Sequence, residues 1–199
     1  MKVKDLIDFE TDIFNNYSEG KIRAPVHLTG SVDGSQEREL INIFKKIKPR
    51  DWIFSTHRSH YHSILKSKDP EWVKGEILAK RSSHINSKKH KIFTSAIVGG
   101  ICPIALGVAL AIKRKKGREK VWVFVGDMAS EMGIFYECRK YAENHKLPIT
   151  FIIEDNGVGV YTPTAKVWGG ISNFWPDNVI VYEYKRKYEH YGVGKWITF

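Results

Sequence analysis

The chain predicts an α/β fold in which a parallel sheet is flanked by helices. Three observations carry this expectation. Residues 121–125 (VWVFV) form a continuous apolar run, as expected of a strand buried on both faces. Residues 149–153 (ITFII) read as a second buried strand, and the segment between them, 134–145, has the spacing of a helix. Strand, helix and strand within about 30 residues make a βαβ unit, with parallel strands and a right-handed crossover.

The remaining elements follow in order. Residues 3–17 place Val3, Leu6, Ile7, Ile13 and Phe14 on a helical pattern, and Gly20 suits the position just past its C-cap. A loop carrying Pro25, Gly30 and Gly34 precedes a helix over 36–47, and residues 51–55 read as a short strand. The polar, aperiodic stretch 80–95 is expected to be loop. Gly99 and Gly100 open an apolar helix over 101–115, which Gly117 closes; residues 126–133 are expected to be a loop. There is no internal repeat and no linker-like stretch, so residues 1–199 are expected to form one domain.

With 199 residues, 42% of them hydrophobic, the chain can fill a core and is not disordered. No apolar run reaches the roughly 18 residues of a membrane span, and the start lacks the apolar stretch of a secretory signal. Cys102 and Cys138 sit in apolar segments and read as buried free thiols of a reducing compartment. The expectation is a cytoplasmic protein without a membrane partner. The formal charge of +10 is spread over separate runs, at 45–50, 88–91, 113–118 and 185–187, mostly where elements should end. No recognition motif accompanies it, which argues against a nucleic-acid partner, and a phosphate-bearing ligand accounts for part of the charge.

The chemistry concentrates at the ends of the two apolar runs. Asp127 follows the first and Asn156 the second. A helix of about 14 residues returns roughly 21 Å, and a strand of about six advances roughly 20 Å. The two displacements nearly cancel, so both residues should emerge at the same sheet edge, where open parallel sheets bind ligands. A carboxylate, an amide oxygen and a loop carbonyl at Val158, freed by Gly157 and Gly159, are hard ligands for an octahedral divalent cation that keeps other positions for phosphate and water. Taken singly, Gly-Asp after a strand and Asp-Asn-Gly are ordinary turn signals. Together at one edge they point to function.

The segment GDMASEMGIFYECRKYAENHKLPITFIIEDNGVGVYTPT resembles the thiamine-diphosphate motif of the alpha subunits of 2-oxo-acid dehydrogenase decarboxylase components, the pyruvate, branched-chain and acetoin dehydrogenase type. That motif begins Gly-Asp-Gly and ends in Asn-Asn. Upstream, SEGKIRAPVHLTGS, DWIFSTHRSHYH, SSHIN and SAIVGGICPIALGVALA resemble further family segments, all in order over roughly residues 15 to 165.

The resemblance implies a thiamine-diphosphate-binding fold of the diphosphate-binding type. It also implies that Asp127, Asn156 and the Val158 carbonyl hold magnesium. Arg58, with His57 in place of the family tyrosine, would contact the diphosphate, as would the Gly126–Asp127 turn and the backbone amides of Met128 and Ala129. Ala96 and Val98 would meet the aminopyrimidine. His27, His60 and His84 match histidines placed around cofactor and substrate, each with a purely structural histidine as the alternative. Met128 stands where the motif has glycine, and Asp155 where it has the first asparagine. The chain stops at Phe199, whereas family members continue through a histidine-bearing lid; the ending 185–199, with His190, is similar to a reduced version.

In this superfamily a glutamate on a separate pyrimidine-binding domain drives loss of the thiazolium proton. The resemblance therefore implies a beta-type partner chain that supplies it, in an α2β2 assembly. The reaction implied is decarboxylation of a 2-oxo acid with transfer of the acyl or aldehyde unit. A split transketolase-like ketol transferase acting on ketose substrates is the alternative, and a non-catalytic basic binding module is a third reading, against which the retained ligands speak.

Overall fold

The computed structural model describes residues 1–170 and 174–190. The chain enters through α1 (Val3–Ser18) and α2 (Ser35–Phe44) and reaches the sheet at β1 (Trp52–Ser55). It passes through α3 (His60–Ser67), α4 (Pro70–Leu78) and a 3-10 turn over Ser82–His84 to β2 (Ile92–Thr94). Helix α5 (Ile101–Arg114) leads to β3 (Val121–Gly126), the single turn α6 (Asp127–Ser130), α7 (Gly133–Asn144) and β4 (Ile149–Asp155). Then come a hairpin of β5 (Val158–Gly159) and β6 (Thr162–Pro163), the short α8 (Thr164–Trp168) and β7 (Val179–Glu183).

The five longer strands form one sheet in the order β2-β1-β3-β4-β7, with every neighbouring pair parallel. The expected parallel sheet flanked by helices is therefore the fold. The two apolar runs lie at its centre because both faces are covered. Trp122, Phe124 and Ile152 point into a layer with Leu6 of α1, Leu40 of α2 and Tyr61 of α3. Val121, Val123, Phe151 and Ile153 alternate to the other side, against Ile101 and Ala105 of α5 and Phe135 and Cys138 of α7. A strand covered on both faces has no use for polar residues, which is why neither run alternates in sequence.

Several boundaries differ from expectation, each for a local reason. Residues 80–95 are not all loop: Ile92–Thr94 pair with β1 as an edge strand, too short to show a period. Helices α3 and α4 were not anticipated, although α4 has a sequence signature, with Asp69 accepting the Trp72 amide and Pro70 in the first turn. Helix α2 ends at Phe44 because the next turn tightens, with Lys46 and Ile47 donating to carbonyls three residues back. Residues 127–130 form a helical turn instead of loop.

Gly20 takes the left-handed position after α1, as expected, with φ 73°. After α5 that position falls to Lys116 (φ 55°) and not to Gly117; Lys68, Lys80 and Lys146 do the same after α3, α4 and α7. Cys102 and Cys138 are free and buried, and burial pushes the Cys102 thiol up to about 12. Among the described residues no helix is long and apolar enough to cross a membrane.

The α5–α7 layer rests on aromatic packing. Phe151 has no exposed surface and meets Phe135 edge-on at 5.3 Å between ring centroids. Phe151→Ala is expected to cost about 3–5 kcal/mol in urea unfolding. A loss below about 1 kcal/mol would show that this layer can close over the gap.

Candidate functional site

The pairing of β3 with β4 builds the site. Gly126 sits opposite Glu154, so Asp127, the first residue beyond β3, and Asn156, the first beyond β4, leave the sheet side by side. Gly126 caps α6 in extended conformation (φ −78°, ψ 159°) and turns the chain off the sheet at once. The Asp127 side chain is buried; Thr164 Oγ1 donates to its Oδ2, and Ser130 Oγ donates to its carbonyl at 2.8 Å. Burial pushes the Asp127 carboxyl up, opposed by the Thr164 hydrogen bond.

Asn156 is fixed at both ends of its amide. Nδ2 donates to the Tyr184 hydroxyl at 3.2 Å, and Oδ1 accepts from the Val158 N–H at 3.2 Å. Of the two glycines expected to free this loop, only Gly157 has a positive φ, 73°. Gly159 is needed for space: a Cβ there would stand 2.9 Å from Cγ and Cε of Met128. The methionine at the motif's glycine position and the glycine in the hairpin thus accommodate each other.

A cavity of about 360 Å³ opens beside these groups. Its wall includes His57 and Arg58 from beyond β1, and Ala96 and Val98 from the turn after β2. It also includes Gly126, Asp127, Met128 and Ala129 at the head of α6, and Asn156 and Val158 beyond β4. All ten residues that the resemblance assigns to the cofactor thus share one wall. Arg58 is oriented from outside, its Nη1 donating to the Leu28 carbonyl at 2.6 Å.

His27 lies behind the wall. Its ring meets His57 edge-on at 4.4 Å between centroids and His190 at 4.6 Å. Burial, reinforced by neighbouring His57 and Arg58, pushes His27 down to about 2; burial and Arg58 push His57 down to about 3. His190 lines the cavity and is lowered for the same reasons, with Arg186 adding to the effect. The cluster is therefore neutral imidazole at neutral pH. Of the ending compared with the family lid, residues 191–199 lie outside the described residues.

The other two expected catalytic histidines are not brought to the cavity. His60 opens α3 with no exposed surface; its Nδ1 faces both Glu10 carboxylate oxygens at 3.0 Å and its Nε2 faces Ser82 Oγ at 2.8 Å. Both ring nitrogens are spent on tying α1, α3 and the 82–84 turn together. His84 is exposed on that turn.

Further residues on or behind the wall hold the site, and the sequence reading assigned none of Thr164, Tyr184 and Arg186 to it. Glu154 is held by the Tyr182 hydroxyl and by His62 Nε2 at 3.1 Å, and His62 Nδ1 meets Ser55 Oγ at 2.7 Å. Thr164 holds Asp127, and Tyr184 and Arg186 come from the segment after β7. Only Thr164 had a signal, as a hydroxyl shortly beyond the Asp-Asn-Gly turn.

Fold and site together define an open α/β protein with a ligand cavity at the carboxyl edge of a parallel sheet, flanked by a carboxylate and an amide on adjacent strands. The profile of the dehydrogenase E1 component family matches residues 1–168, and the chain belongs to that family. It is 32% identical over 166 residues to the alpha subunit of acetoin:2,6-dichlorophenolindophenol oxidoreductase of Cupriavidus necator, covering 78% of this chain and 49% of that protein. It is 30% identical over 172 residues to the Bacillus subtilis subunit of the same name, covering 81% and 50%. Against the chloroplastic pyruvate dehydrogenase E1 component subunit alpha-3 of Arabidopsis thaliana it is 31% identical over 164 residues, covering 74% and 37%. The chain thus spans half or less of the length of these relatives.

The imidazoles of buried His27 and of half-buried His57 on the cavity wall make a pH signature. In the unfolded chain they titrate near 6.5, and in the folded one near 2 for His27 and near 3 for His57. Below 6.5 the unfolded state takes up protons that the folded state refuses. Their contribution is whole above 6.5 and falls with pH, by up to about 1.4 kcal/mol per pH unit for each group. His57→Asn is expected to flatten the fall in unfolding free energy between about pH 6 and 4. An unchanged slope would mean that His57 is already protonated in the fold.

Proposed function

We propose that this chain is the diphosphate-binding part of a heteromeric, thiamine-diphosphate-dependent enzyme that decarboxylates a 2-oxo acid and transfers the acyl or aldehyde unit. The observation that carries the reading is the Asp127–Asn156 pair on adjacent strand ends, beside a cavity walled by all ten residues that the motif assigns to the cofactor. The donor set fits. Asp127 supplies a carboxylate, Asn156 an amide oxygen and Val158 a backbone carbonyl, all hard oxygen donors suited to Mg²⁺. Thr164 and Tyr184 hold the two side chains from behind. When bound, thiamine diphosphate supplies the carbanion chemistry.

The chain's own residues bind and orient. Arg58, anchored on Leu28, offers a planar fork to phosphate oxygens. Met128 and Ala129 offer amides from α6, and Ala96 and Val98 an apolar wall to the pyrimidine. His57, with His27 packed behind it, provides uncharged imidazole at the cavity, while His60 acts at a distance by fixing α3. The proton step needs a carboxylate at the pyrimidine end. Glu154 lines the cavity at the metal-ligand edge, its Oε1 facing His62 Nε2 and accepting from the Tyr182 hydroxyl, a placement at the strand ends that supports a partner chain as the source of that glutamate. Ile97, Val98, Val160 and Val167 are exposed at the cavity and Trp168 beside it. An apolar rim of this kind supports a partner seated over the site, in an α2β2 heterotetramer.

Titration calorimetry on the complex tests the metal and cofactor. Thiamine diphosphate binding is expected to require Mg²⁺ and to be lost in Asp127→Ala and Asn156→Ala; undiminished affinity in Asp127→Ala would sink the metal assignment. The partner is tested by turnover. The isolated chain, saturated with thiamine diphosphate and Mg²⁺, is expected to leave pyruvate, branched 2-oxo acids and ketose phosphates unconverted. Robust turnover would require an activating glutamate within this chain.

A further inference from the structure

The hairpin that carries Val158 is strained. β5 and β6 pair through Val158 with Pro163 and Gly159 with Thr162, leaving Val160 and Tyr161 as a two-residue turn. Val160 has φ 58°, a left-handed conformation that strains a β-branched residue and that it adopts only where its surroundings compel it. Hairpin turns of this length ordinarily put glycine, asparagine or aspartate at such a position, and a two-strand ribbon is marginal alone.

We propose that Arg186 is the positioning residue that compels it, clamping the hairpin so that Val158 stays at the cavity wall beside Asp127 and Asn156. The Arg186 guanidinium donates to the Val160 carbonyl at 2.7 Å and lies 6.0 Å from the Tyr161 ring centroid. The Tyr161 hydroxyl donates to the His190 carbonyl at 3.3 Å, so both turn residues are tied to one segment. That segment is itself held firmly. Ser31 and Arg186 form an antiparallel bridge, the Val32 N–H donates to the Lys185 carbonyl, and the Lys187 N–H donates to the Gly30 carbonyl. The base of the hairpin is fixed on the other side, by the Thr164 N–H on the Gly157 carbonyl at 2.9 Å and by Thr164 Oγ1 on Asp127. Arg186 thus closes the free end of a loop whose other end is already bonded to the site.

The inference rests on the cofactor reading above, and a double-mutant cycle separates the two. In the complex, Arg186→Ala is expected to weaken Mg²⁺-dependent thiamine diphosphate binding about ten-fold, the scale of one charge-assisted hydrogen bond. Arg186→Lys, which keeps one donor, should recover part of the loss. Amides of the hairpin peptide should exchange faster in Arg186→Ala, with those of β3 and β4 unchanged. Val160→Gly removes the strain that needs clamping, so in that background Arg186→Ala should cost no more than about two-fold. Equal affinity and equal exchange in wild type and Arg186→Ala, or the same loss in both backgrounds, overturns the clamp and leaves the cofactor site standing. No Mg²⁺-dependent binding by the wild-type complex overturns the site reading, and the clamp's purpose with it.

Discussion

Because Gly126 sits opposite Glu154 in a parallel ladder, two chain segments that are distant in sequence leave the sheet at the same height. The rest of the site follows from that pairing. A slip of one residue would reverse the inward and outward faces of β4 and carry Phe151 and Ile153 away from α5 and α7. The hydrophobic layers therefore enforce the register, and the register places a carboxylate beside an amide. Core packing and site geometry are one constraint expressed at two ends of the same strands.

Beneath the cavity the molecule keeps polar side chains inside by surrounding them. Glu154 takes a hydrogen bond from the Tyr182 hydroxyl and faces His62, which reaches Ser55; Glu10 takes the Thr29 amide and faces His60, which reaches Ser82. A buried carboxylate left alone is costly, and breaking one member of such a set typically loses about 3–5 kcal/mol. These sets join helices α1 and α3 to the ends of β1, β4 and β7. They hold the platform on which Arg58 and Asp127 sit, and this is the work that His60 performs.

Much of this was legible in the sequence because its causes are local or periodic. The runs at 121–125 and 149–153 announced buried strands, and their lengths fixed where Asp127 and Asn156 would emerge. The ordered motif fragments gathered His57, Arg58, Ala96 and Val98 onto the same wall. What escaped depends on contacts far apart in sequence. β2 is a strand through its pairing with distant β1, and Tyr184 and Arg186 matter because β7 docks beside β4. His60 and His84 matched a pattern, but a pattern does not say which way a ring points. The fit of Met128 to Gly159 likewise appears only when the two segments meet.

The lysines that end the helices bear on how this protein tolerates change. Of the six non-glycine residues with positive φ among the described residues, five are lysines, and four of those stop α3, α4, α5 and α7. A left-handed L-residue costs about 1–2 kcal/mol that glycine would not incur. These corners are therefore a reserve of unrealised thermostability on the outer shell, remote from the cavity. A lineage under heat stress has room to rewrite those corners and leave the ligand pair untouched.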